Sequence, residues 1–118
     1  MKRTHNFKEL TIWKKGMNIV EQTYQLTSKL PAEERFVLIS QLNRCAISIP
    51  SNIAEGSGRS TEKDFINFLN IALSSSYELE TQLILTNRLF DFDVEDNLND
   101  LMELQKMIVG FKKSLLNT

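Results

Sequence analysis

Apolar residues recur at helical spacing along almost the whole chain. In the first segment Leu10, Trp13, Met17, Val20 and Tyr24 follow one another at intervals of three and four, the repeat of one helix face. A second stripe, Ile12, Ile19 and Leu26, recurs every seven residues. The pattern breaks at Lys29-Leu30-Pro31. Pro31 suits the first turn of a following helix, where its missing N–H costs nothing, and Glu33 and Glu34 then sit at the positive end of that helix dipole. The second segment carries Phe36, Ile39, Leu42, Ala46, Ile49 and Ile53. The third opens at Thr61, which with Asp64 makes a capping pair. Its main stripe is Phe65, Leu69, Ala72, Ser76, Leu79 and Leu83, with Ile66, Leu73, Tyr77 and Ile84 beside it. After the turn DFDVEDN, a fourth segment carries Leu98, Leu101, Ile108, Phe111 and Leu115, flanked by Met102, Val109 and Leu116.

These periods predict helices over roughly 8–28, 32–56, 61–90 and 94–116. No alternating strand pattern of useful length competes with them. Four helices with short connections make an antiparallel up-down four-helix bundle, and 118 residues fit one domain spanning 1–118. One apolar stripe per helix is enough for a small bundle. The second stripes point to burial against further copies of the chain.

The run SIPSNIAEGSGRS, residues 48–60, interrupts the pattern. It lacks the lysine of a phosphate-binding P-loop and the third glycine of a dinucleotide fingerprint. It reads better as a helix kinked at Pro50 and ended by Gly56 or Gly58 in a left-handed conformation. Arg44, Ser48 and Asn52 lie four apart on one face, with Glu55 three further on and Arg59 next. Ser75, Glu78 and Gln82 offer a facing polar surface on the third helix. Arg44, Ser48, Asn52, Glu55, Arg59, Ser75 and Glu78 therefore form a candidate polar cluster. A buried Asn or Glu must be hydrogen-bonded, so the cluster either fixes the helix register or anchors a ligand or partner.

The formal net charge of -1 hides an asymmetry. Over residues 1–30, Lys2, Arg3, Lys8, Lys14, Lys15 and Lys29 stand against Glu9 and Glu21, a surplus of +4. Over residues 61–93, Lys63 and Arg88 stand against Glu62, Asp64, Glu78, Glu80, Asp91 and Asp93, a surplus of -4. The basic first helix could meet the acidic third helix, in the same subunit or another. It could also meet phosphates, with Lys14, Lys15, Arg59, Lys63, Lys112 and Lys113 as the candidate nucleic-acid contacts. Trp13 and the tyrosines sit at core spacing and make poor stacking platforms.

Other chemistry finds little footing. The only histidine, His5, is expected in a mobile N-terminal arm, and the only cysteine, Cys45, in the core. They are too few for a zinc site or a catalytic triad, and the paired Glu-x-x-His motifs of di-iron bundles are absent. Glu78 and Glu80 are two apart and point to different helix faces. No catalytic, metal or cofactor-binding residues are assigned. With no apolar run of about 18 residues and no signal-peptide pattern, the expectation is a cytoplasmic protein without a membrane role.

The motif S-I-P-S-N-I-A-E-G-S-G-R, followed by Phe65, Phe68-Leu69, Ile71-Ala72 and Glu78-Leu79-Glu80 and preceded by Phe7-x-x-Leu10-x-x-Trp13, resembles the four helix bundle protein family of bacteria, also called the 23S rRNA intervening sequence proteins. The resemblance covers residues 7 to 116. It implies a left-handed antiparallel bundle that assembles as a cyclic homopentamer. A related branch is the accessory variability determinant of diversity-generating retroelements, which resembles a basic barrel that binds nucleic acid and a reverse transcriptase. This chain departs from the pattern with Ser57 in place of an aromatic residue, Ser74 in place of a glycine that would shape a close helix contact, and a net charge of -1. The expectation is a non-catalytic oligomeric binding or scaffold protein that acts on RNA or a ribonucleoprotein. The alternative is a protein-binding adaptor anchored at Asn52 and Glu55, with no nucleic-acid role.

Overall fold

The computed structural model describes residues 5–117; Lys2 and Arg3 of the basic start lie outside them. A short 3-10 turn, Phe7–Glu9, leads into α1, Thr11–Thr27. A second 3-10 turn, Ala32–Glu34, and a π-helical turn, Arg35–Ile39, open α2, Ser40–Ser57. Helix α3 runs Glu62–Phe90 and α4 runs Glu95–Leu116. No strand occurs among the described residues. Each helix packs chiefly on its chain neighbours, and α4 closes back on α1. The body measures 51 × 22 × 20 Å.

One shared core holds the four helices together. Ile19, Leu42, Ile49, Ile53, Phe65, Leu69, Leu79, Leu83, Leu101, Leu104 and Ile108 are buried in it. Burying each such side chain is worth roughly 1.5–3 kcal/mol, so it is the main support of the fold. On α3 the expected stripe is the buried one throughout: Phe65, Leu69, Ala72, Ser76, Leu79 and Leu83.

On α1 the two stripes exchange roles. Ile12, Ile19 and Leu26 are the core residues, while Met17 and Tyr24 of the longer stripe are exposed and Trp13 and Val20 half-buried. Both stripes repeat at helical spacing, so period alone does not choose between them; the close packing of Gly16 on Pro50 does, because it turns the Ile12–Gly16–Ile19 face inward. Phe36, expected in the core, is 84% exposed. It lies in the π turn, whose wider winding breaks the phase between Phe36 and Leu42, and Arg35 covers its ring.

The ends of the elements follow ordinary chemistry, with two exceptions. Thr61 Oγ1 accepts the Asp64 N–H and starts α3 as expected. Neither Gly56 nor Gly58 is left-handed; the one residue of positive φ among those described is Asp91, at 58°, which caps α3. Gly56 instead lies inside α2, where a Cβ would stand 2.6 Å from Phe68 Cβ. Space, not torsion, requires that glycine. His5, expected in a mobile arm, is docked: its backbone N–H donates to the Ser57 carbonyl, and its ring rests on Phe65 and Phe111. Ser74 is exposed, so no close helix contact is made there.

Candidate functional site

The polar face predicted on the second and third helices forms around short side chains. Ser48 and Ser75 meet hydroxyl to hydroxyl at 2.8 Å. The Asn52 amide donates to the Ser48 carbonyl at 2.8 Å and to its hydroxyl at 3.0 Å. One helical turn away, the Gln82 amide donates to Cys45 Sγ at 3.5 Å. Groups this small let α2 and α3 approach closely. Beside the seam a hollow of about 330 Å³ opens, lined by Gln41, Arg44, Cys45, Ser48, Ser75 and Glu78. Arg44 and Glu78 are exposed and have no ion-pair partner among the described residues.

The seven-residue cluster divides in two. Arg44, Ser48, Asn52, Ser75 and Glu78 belong to this seam. Glu55 and Arg59 pair with each other at 3.3 Å on the exposed end of α2, and the Arg59 guanidinium stacks over the Phe68 ring. Glu55 is thus not a buried anchor beside Asn52: it lies on an exposed helix position and turns to Arg59. Gln41 was not singled out in the sequence, although it lies seven residues before Ser48 on the same helix face.

Burial pushes the Cys45 thiol up; the Gln82 hydrogen bond opposes this, Glu78 adds to it, and Arg44 opposes it. A thiol held protonated is a poor nucleophile and a poor metal ligand. No group of three or more His, Cys, Asp or Glu side chains suited to a metal ion occurs among the described residues.

The basic residues do not gather into one patch. Lys15 is engaged by Asp100 at 3.4 Å and Glu103 at 3.7 Å, so the basic first helix meets carboxylates of α4 rather than of α3. The Gln22 amide also donates to Asp100, at 2.6 Å. That bond, aided by Lys15 and opposed by partial burial, holds the Asp100 carboxyl below its ordinary value. Lys112 donates to Asn70 at 2.6 Å, and Lys63 lies near the start of α3. Lys113 borders a hollow of about 390 Å³ between α3 and α4, with Tyr77, Gln105, Lys106, Val109 and Gly110. Lys14 is exposed and has no ion-pair partner among the described residues. Tyr24 and Tyr77 are exposed, contrary to the core placement expected from their spacing.

One face of the molecule is apolar and a second is mixed. Between α1 and α2 a hollow of about 290 Å³ is lined by Trp13, Met17, Val20, Ile47, Pro50, Ser51 and Ala54. On the other side, Tyr77 and Val109 flank the α3/α4 hollow, and Ile84, Met102 and Leu116 are exposed on the same two helices. Among the described residues no helix is long and apolar enough to cross a membrane.

No curated protein matches this chain. Among solved structures, the chain is similar to a protein of unknown function from the S23 ribosomal protein family of Bacteroides thetaiotaomicron VPI-5482. The two are 31% identical, with a TM-score of 0.80 over 87% of this chain and 99% of that one. The family model of the 23S rRNA-intervening sequence protein matches residues 8–110, through both helices of the polar seam and most of α4, and the chain belongs to that family.

Proposed function

We propose that the protein is a non-catalytic, self-assembling scaffold: a left-handed antiparallel up-down four-helix bundle, one domain over residues 1–118, that forms a cyclic homopentamer. The observation that carries this reading is exposed apolar surface in two places on the helical body: an apolar hollow between α1 and α2, and Tyr77 and Val109 beside Gln105, Lys106 and Lys113 in the hollow between α3 and α4. Contiguous exposed apolar surface marks interaction sites, and a chain with two different sticky faces builds rings when its rotation closes. The contacts Ser48–Ser75 and Cys45–Gln82, in which a step forward on α2 accompanies a step back on α3, support the antiparallel arrangement.

A role on RNA or a ribonucleoprotein has thinner support. It rests on Lys14, Lys63, Lys112 and Lys113, repeated around a ring, because Lys15 and Arg59 already face carboxylates. The adaptor reading keeps Asn52 at the seam, whereas Glu55 turns to Arg59 and does not join it. The protein is expected to work in the cytoplasm.

Ile47→Glu on the α1/α2 face and Val109→Glu on the α3/α4 face test the scaffold reading. Each is expected to reduce the mass in sedimentation velocity to that of one chain while the helical circular dichroism is kept. Variants that keep the wild-type mass would overturn it.

A further inference from the structure

The hollow beside the α2/α3 seam is polar almost throughout. It holds about 330 Å³, at the small end of ligand pockets, which run over roughly 300–1,000 Å³. Gln41, Arg44, Ser48, Ser75 and Glu78 line it with polar or charged groups, and Cys45 completes the lining. Arg44 and Glu78 are its two charged members, one of each sign. They come from different helices and form no ion pair with each other or with any other described residue. Both charges nonetheless bear on the same Cys45 thiol, in opposite senses. They therefore border one space without closing it.

The hydrogen bonds of the seam leave a donor to spare. Each serine hydroxyl carries one proton. The Ser48 hydroxyl accepts from the Asn52 amide. Its contact with the Ser75 hydroxyl uses one proton, whichever of the two supplies it. The second hydroxyl proton has no acceptor among the described residues. Ser75 is buried and Ser48 half-buried, and a donor left unmet in such a place costs free energy that a ligand acceptor would recover.

We propose that this hollow binds a small zwitterion, a free α-amino acid, with its carboxylate on the Arg44 guanidinium and the spare serine O–H, and its ammonium on Glu78. A simple anion would bring its charge to the Glu78 carboxylate with nothing to offset it. A simple cation would do the same at Arg44. Rejection of both follows from the mixed lining. An α-amino acid carries the two charges on a single carbon and satisfies both walls at once. Arg44 and Glu78 are exposed, where ion pairs are weak, so binding is in the millimolar range. The site is built by one chain and needs no second copy.

Saturation-transfer difference NMR tests the site with L-alanine, whose methyl group reports contact with the protein. Propionate and ethylamine are the comparison probes, since each keeps the methyl and one charged end. L-Alanine is expected to give a saturable signal, with propionate and ethylamine each binding at least about threefold more weakly. Arg44→Gln should raise the apparent Kd of L-alanine at least about threefold and leave ethylamine no weaker. Glu78→Gln should raise it by a similar factor and leave propionate no weaker. Both positions are exposed, so the variants are expected to keep the wild-type circular dichroism. The zwitterion site is overturned if L-alanine gives no saturable signal, or if either variant binds it as tightly as the wild type. Propionate or ethylamine binding as tightly as L-alanine would overturn it too.

Discussion

Gly56 shows how one residue sets the spacing of two helices. In an isolated helix alanine is favoured over glycine by about 1 kcal/mol. Here the added Cβ would stand 2.6 Å from Phe68 Cβ and 2.8 Å from Phe65 Cδ1. Phe68 Cβ is fixed to the backbone and cannot swing aside. Gly56→Ala is expected to lower stability by about 1–3 kcal/mol through overpacking, read as a fall in the thermal midpoint; an unchanged or raised midpoint would show that the seam gives way. Asp100 makes a second residue-scale case. Its carboxyl is held below its ordinary value by the Gln22 amide first and Lys15 second. The stability from this bond is therefore complete above the ordinary aspartate range and lost as pH falls through the lowered folded value. Urea melts between about pH 6 and about pH 2 should show Gln22→Ala weaker than wild type at the upper end and converging on it at the lower.

At the scale of elements, the helices and their order were legible in the sequence because period, caps and breakers agreed: α3 was read with its buried stripe, its Thr61 cap and its end at DFDVEDN. What period could not decide is which of two apolar stripes faces inward. On α1 that choice belongs to Gly16 and Pro50, which meet only once the helices pack. The π turn at Arg35–Ile39 was likewise invisible, since it shifts phase without a marker residue, and it moved Phe36 from expected core to exposed surface. Two substitutions separate these cases. Phe36→Ser should change the unfolding free energy by no more than about 0.5 kcal/mol, whereas Leu42→Ala, in the core, should cost about 2–5 kcal/mol. Chemical denaturation of the two variants checks this, and a large loss for Phe36→Ser would return that residue to a buried contact. The candidate site was legible in part for the same reason. Ser48, Asn52 and Ser75 share faces that spacing reveals, whereas the turning of Glu55 to Arg59 depends on rotamers that no spacing encodes.

At the scale of the whole molecule, charge and apolar surface argue in different directions. The -1 chain sets Lys15 and Arg59 against its own carboxylates, and its other cations are spread over the surface rather than gathered into one patch. Anisotropy of a labelled structured RNA across a salt series should give binding at low salt at most, lost by physiological ionic strength. Binding that persists there with a log–log slope of several phosphates would restore the nucleic-acid role. The apolar faces are the stronger feature, since side chains such as Met17, Ile47, Tyr77 and Val109 gain from burial only if something covers them. The most direct measurement is the mass of the unmodified protein by sedimentation equilibrium over a wide concentration range. One species at five times the 13.6 kDa chain mass is expected, and a single chain at every concentration would contradict the scaffold.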